Sequence, residues 1–99
     1  MQLIRDLFEI IDTDRRRYLD SNSATVSGAR LFESLAGNPI VTVSSAVRIC
    51  VTTRPTASKA IKSLCEAGIL EETSERSRDR TYAYRRYLDL LRVGTEPLG

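Results

Sequence analysis

The sequence has no histidine and no tryptophan, and only two cysteines, three prolines and one methionine among its 99 residues. Without histidine, Ser-His-Asp and Cys-His catalysis and imidazole-bound metal sites are excluded, so few routes to an enzyme remain. Cys50 and Cys65 each fall on an apolar helical stripe with no second thiol at metal-binding spacing, and read as buried, reduced thiols rather than ligands. No apolar run approaches the roughly 20 residues of a membrane span. The opening MQLIRDLFEIID carries acids where a signal peptide is basic and then uncharged. These absences predict a cytoplasmic protein without membrane, metal or cofactor, and without catalysis of its own.

What is present fits one small domain. At 41% hydrophobic residues, a chain of this size buries only about two-thirds of its unfolded surface, so marginal stability or a partner is expected. The formal charge of +2 is too weak to select a partner class, but its distribution is informative. Residues 1 to 20 are slightly acidic, with Asp6, Glu9, Asp12, Asp14 and Asp20 against Arg5, Arg15, Arg16 and Arg17. The later half holds Arg48, Arg54, Lys59, Lys62, Arg76, Arg78, Arg80, Arg85, Arg86 and Arg92.

Those cations surround the most structured stretch, Thr42 to Leu70. Thr42 caps a short helix through Cys50, Val51-Thr52 makes a turn, and Thr53 caps a second helix through Ala67. Each hydroxyl takes a backbone N–H of the first turn. Gly68 stands just past the end, where a left-handed residue is easily accommodated. Ala57, Ala60, Ile61, Leu64 and Cys65 recur at spacings of three and four and share a buried face. The opposite face is read as Thr56, Lys59, Lys62, Ser63 and Glu66. This is a helix-turn-helix whose second helix has the build of a DNA reader. One position departs from that pattern: Val51 occupies the turn, and a β-branched residue is costly at positive φ, so the turn is either built differently or strained.

Before it, Leu3, Ile4, Leu7, Phe8, Ile11 and Tyr18 form an amphipathic N-terminal helix. It either packs on its own domain or serves as a dimer seam or a connection to another domain. The pair Asp12 and Asp14 has the look of a calcium loop, but Arg16 and Arg17 stand where such a loop needs an oxygen ligand and a glycine. Ser21-Asn22-Ser23 is read as the cap of a helix from Ala24 to Ala36 with Gly28, Leu31, Phe32 and Leu35 inward, stopped by Gly37-Asn38-Pro39. Ile40, Val41 and Val43 read as a short β segment.

After Gly68, Ile69 to Glu72 and Thr81 to Tyr84 read as strands joined by the charged loop TSERSRDR. A hairpin directly after a recognition helix is a wing. Its alternating Arg76, Arg78 and Arg80 either reach phosphates or form an ordinary solvated loop. Tyr87, Leu88, Leu90, Leu91 and Val93 form a closing helix ended by Gly94. The expected fold is therefore mainly α with a small β-hairpin, a winged helix-turn-helix over residues 23–95, preceded by the amphipathic helix of residues 1–22 and followed by a frayed tail at 96–99.

Taken together, LFESLAGNPIVTV, RPTASKAIKSLCEAGILEE and RSRDRTYAYRRYLDLL resemble the C-terminal region of bacterial Fic-family proteins, where a winged-helix domain follows the catalytic domain. The resemblance covers roughly residues 30 to 94. It implies an accessory, regulatory domain, a covalently linked catalytic domain and a parent enzyme that transfers AMP to protein hydroxyls. The His-Pro-Phe motif of that chemistry has no counterpart here, and Gly37-Asn38 sits at a helix end as an ordinary stop signal.

The leading functional expectation is a transcription-regulating module that binds double-stranded DNA as a homodimer. Arg54, Thr56, Lys59 and Lys62 would face base edges, and Ser44, Ser45, Arg48, Arg76, Arg78 and Arg80 would meet phosphates. Leu3, Ile4, Leu7, Phe8 and Ile11 would form the dimer or linker helix. The alternative is a module that regulates the attached Fic enzyme through protein contacts without binding DNA; Glu71, Glu72, Glu75 and Asp79 beside the wing favour it.

Overall fold

A computed structural model of the chain describes residues 2–73 and 80–95, the last two through their backbone only. The order of elements is α1 (Gln2–Leu19), α2 (Val26–Ser34), β1 (Ile40–Val41), α3 (Val43–Cys50), α4 (Arg54–Glu66), β2 (Glu71–Glu72), β3 (Tyr82–Ala83) and α5 (Arg85–Thr95). The fold is α+β and winged-helix-like, as the sequence predicts.

Local chemistry sets most of the boundaries. Thr42 and Ser45 form a reciprocal capping box at the start of α3: the Ser45 N–H donates to Thr42 Oγ1 at 3.1 Å, and the Thr42 N–H donates to Ser45 Oγ at 2.9 Å. Thr53 caps α4, with Pro55 in the first turn where a missing N–H does no harm. Gly68 follows α4 at φ 76°, and the Ile69 and Leu70 N–H groups fold back onto the Leu64 carbonyl. Val51 ends α3 at φ 50°, ψ 59°. The turn is thus of the usual left-handed geometry but carries a β-branched residue, and the strained alternative is the one realised.

Several boundaries differ from expectation. The cap of α2 is Thr25, whose Oγ1 accepts the Gly28 N–H at 2.8 Å, because the Ser21 hydroxyl is turned back onto the Tyr18 carbonyl. Val43 belongs to α3, released from the strand by the Thr42 cap. Helix α5 runs through Gly94 to Thr95 rather than stopping at the glycine.

The sheet has three strands in the order β1-β3-β2, all antiparallel, with Val41 and Glu72 both opposite Tyr82. Its ladder is lengthened by Tyr84 N–H to the Pro39 carbonyl and by Thr73 N–H to the Thr81 carbonyl. The core lies where α2, α3 and α4 converge and closes over Val41, Ile69, Leu70, Tyr84 and Tyr87. Each aliphatic side chain fully buried there contributes about 1.5–3 kcal/mol.

Helix α1 is built into the same core, packing against α5 and α2. Its two buried residues are polar-tipped. Asp14 is wholly buried; it accepts the Tyr84 O–H at 2.7 Å and Arg86 Nη1 at 2.8 Å, and pairs with Arg17 at 3.2 Å. Burial, and next this bond to a carboxylate, push the Tyr84 phenol well above its ordinary range. Tyr18 accepts the Thr25 N–H at 3.0 Å and shares a 2.7 Å hydrogen bond with Ser63. Ser63 gives its proton to the Ala60 carbonyl, so the bond between the two hydroxyls runs from Tyr18 to Ser63.

Gly28 is required by this arrangement. A Cβ at that position would overlap the Tyr18 hydroxyl and crowd Ser63 Oγ and Thr25 Oγ1.

Candidate nucleic-acid interface

The face of α4 turned away from the core is set by the 3.6-residue repeat. Pro55, Lys59, Lys62 and Glu66 lie along one exposed stripe, spaced by four, three and four residues, with Ser58 beside Lys62. Ser63 is the correction: it is 4% exposed and faces Tyr18, so it belongs to the core and not to the polar front. Ser58 is the residue missed; its i, i+4 spacing to Lys62 was the available signal.

Arg54 and Thr56 are both exposed in the first turn of α4. Arg54 Nη1 donates to Ser44 Oγ at 3.2 Å, joining the N-terminal turns of α3 and α4. Ser44 therefore keeps its own proton available to an acceptor. Ser45 does not: its hydroxyl accepts the Thr42 N–H and donates to the Thr42 carbonyl at 3.0 Å, leaving no proton for a phosphate. Thr56 accepts from the Thr53 hydroxyl at 3.1 Å, and its proton is likewise free. Arg48 is exposed on α3. Lys59 and Lys62 border a shallow cleft of about 340 Å³ with Asn22, Ser23 and Thr25 of the α1–α2 connection.

The charge pattern separates this face from the C-terminal half of α1 and from the hairpin and the start of α5. Arg15 makes a two-pronged contact to Glu33, at 2.7 and 2.9 Å for its shortest bonds. That contact holds the Glu33 carboxyl below its ordinary range and raises the guanidinium. Arg16 pairs with Asp12, Arg17 and Arg86 with Asp14, Arg80 with Glu72 and Arg85 with Glu71. Among the described residues, Arg30, Arg48, Arg54, Lys59 and Lys62 have no carboxylate partner, and on α1 neither has Arg5. The chain matches no family model and no curated protein.

The wing is only partly described. Arg76 and Arg78 lie outside the described residues. Arg80 sits 3.1 Å from Glu72, so part of its charge is already met within the hairpin. Tyr84, like Tyr87, is buried rather than offered to a base; the two rings stack at 5.5 Å, and Phe32 lies against Tyr84 at 5.9 Å. Both thiols are pushed up by burial and are free cysteines, which makes them poor nucleophiles at neutral pH. No helix among the described residues is long and apolar enough to cross a membrane.

Proposed function

We propose that the domain binds double-stranded DNA through α3 and α4. The observation that carries this reading is the contrast in ion pairing. The cations of α2, α3 and α4 lack carboxylate partners, whereas the described arginines of residues 15–17 and 80–86 have them. Unpaired cations on an exposed helical face supply the counterion release that drives association with a polyanion.

Helix α4 is about 20 Å long at 1.5 Å per residue, and its exposed stripe fits a major groove about 12 Å wide. Arg54 and Lys59 would reach guanine acceptors, Thr56 a thymine methyl, and Ser44 and Arg48 the backbone. The resemblance to the accessory domains of Fic-family proteins supports a regulatory role within a larger protein.

A second reading, regulation through protein contacts, draws on Glu66 at the end of the lysine stripe and on exposed Glu71 and Glu72 beside the hairpin. Those acids would repel a phosphate backbone. The two readings divide on one titration, fluorescence anisotropy of a labelled mixed-sequence duplex over a salt series. Binding should weaken steeply with salt, and Lys59→Ala with Lys62→Ala should lower the log-log slope by roughly 0.9 for each phosphate that these lysines neutralise. Absence of binding at the lowest salt overturns the DNA reading.

A further inference from the structure

The outward face of α1 is more apolar than a solvated helix requires. Ile4 is 54% and Phe8 68% exposed, whereas Leu7, Ile10 and Ile11 of the same helix pack inward. Ile4 and Phe8 edge an open groove of about 850 Å³ between α1 and α2, with Phe32, Ala36 and Tyr84 among its lining residues. Exposed apolar clusters of this kind mark contact surfaces.

The charges beside this stripe indicate what covers it. Arg5 and Glu9 stand one turn apart on the same flank, both exposed, and neither has an ion-pair partner among the described residues. We propose that a second copy of this chain occupies the face, with the two α1 helices antiparallel about a twofold axis at the level of Leu7.

In such a pair, residues equally far on either side of Leu7 oppose each other, and like flanks meet. Arg5 then faces Glu9 of the second copy, twice over, as an isologous interface demands. Ile4 falls level with Ile10 of the second copy, between its Phe8 and Ile11. A parallel pair would instead bring opposite flanks together and leave Arg5 and Glu9 without each other across the interface. A register displaced toward Asp12 would compete with that carboxylate's 2.9 Å contact to Arg16. The charges thus select orientation and register, and the apolar side chains provide the attraction. The proposal stands apart from the DNA reading, because α1 lies outside the helix-turn-helix.

Sedimentation equilibrium over a concentration series tests it, with Arg5→Glu, Glu9→Arg, the double exchange and Phe8→Ser. All four change exposed residues, so circular dichroism should report an unchanged fold. The parent protein should dimerise reversibly, and each single charge reversal should weaken dimerisation by about tenfold or more, since two attractive contacts become repulsive. An equimolar mixture of the two single variants, and the double exchange alone, should recover the dimer; Phe8→Ser should be monomeric. A monomeric parent protein, a Phe8→Ser variant that still dimerises, or a double exchange no better than the single variants overturns the proposal.

Discussion

Replacing Gly28 by alanine opposes two effects of known size. Helix propensity favours alanine by about 0.5–1 kcal/mol. Against it, the added methyl would coincide with the Tyr18 hydroxyl and lie 2.9 Å from both Ser63 Oγ and Thr25 Oγ1. Tyr18 is 1% exposed, so its ring cannot swing into solvent. Either the ring is displaced within a full core, at about 1–3 kcal/mol, or its hydroxyl gives up Thr25 and Ser63 at a comparable cost for orphaned buried groups. The net expectation is a loss of about 1 kcal/mol, and at most about 2.5 kcal/mol, once propensity is subtracted. At about 4–8 °C per kcal/mol for a domain of this size, that is a fall in Tm of roughly 4–8 °C, and at most about 20 °C. Urea unfolding followed by circular dichroism measures it. Tyr18→Phe removes the colliding atom; alone it should cost about 1–2 kcal/mol, but in the Gly28→Ala background it should cost far less or restore stability, a coupling of at least about 1 kcal/mol. An alanine variant as stable as the parent, or strictly additive losses, would refute the reasoning.

Val51→Gly should raise stability by about 0.5–1 kcal/mol, because relief of left-handed strain of roughly 1–2 kcal/mol exceeds the added backbone entropy, and the side chain is 88% exposed. A fall in thermal midpoint would contradict the strained turn. Asp14→Ala should cost about 2–4 kcal/mol, most of it from the buried Tyr84 hydroxyl left without an acceptor, since Arg17 and Arg86 are half exposed and can return to water. Tyr84→Phe should cost less, and the double variant less than the sum; additivity in a denaturation cycle would deny the contact. Because the Tyr84 phenol is raised in the folded state, the unfolded chain releases this proton first. The contribution of this residue is therefore complete below pH 10 and is lost as pH rises above it. Thermal melts between neutral pH and about pH 11 should show an alkaline decline that Tyr84→Phe reduces; an equal decline in both proteins would assign it elsewhere.

The elements legible in the sequence are those fixed by neighbours along the chain. Thr42, Thr53 and Gly68 each act within one helical turn, and α3 and α4 end within a residue of their expected limits. Cost, too, is local: Val51 is a misfit by residue type alone, and its φ of 50° bears that out. What escapes a sequence reading depends on partners remote along the chain. Asp14 reads as half of an acidic pair with the look of a rejected calcium loop until Tyr84 and Arg86, some 70 residues later, close over it. Ser63 reads as a polar front residue because its hydroxyl is weighed alone; the Tyr18 hydroxyl that satisfies it lies 45 residues earlier. Periodicity puts Leu7 and Phe8 in one stripe, and only the packing of α5 and α2 decides that Leu7 turns inward and Phe8 outward.

The place of β3 in the middle of the sheet has a consequence for biosynthesis. The strand that joins β1 to β2 is the last of the three to leave the ribosome, and α5 follows it. Until Tyr82 to Tyr84 emerge, β1 and β2 have no common neighbour and the Asp14 carboxylate has no phenol to close over it. The α2–α3–α4 unit, by contrast, is held together by elements close in sequence and can assemble early. The nascent chain is therefore expected to carry a formed helical unit with α1 held only at its C-terminal half, through Tyr18 and Arg15, and to complete the docking of α1 when the stretch from Tyr82 to Tyr87 is delivered.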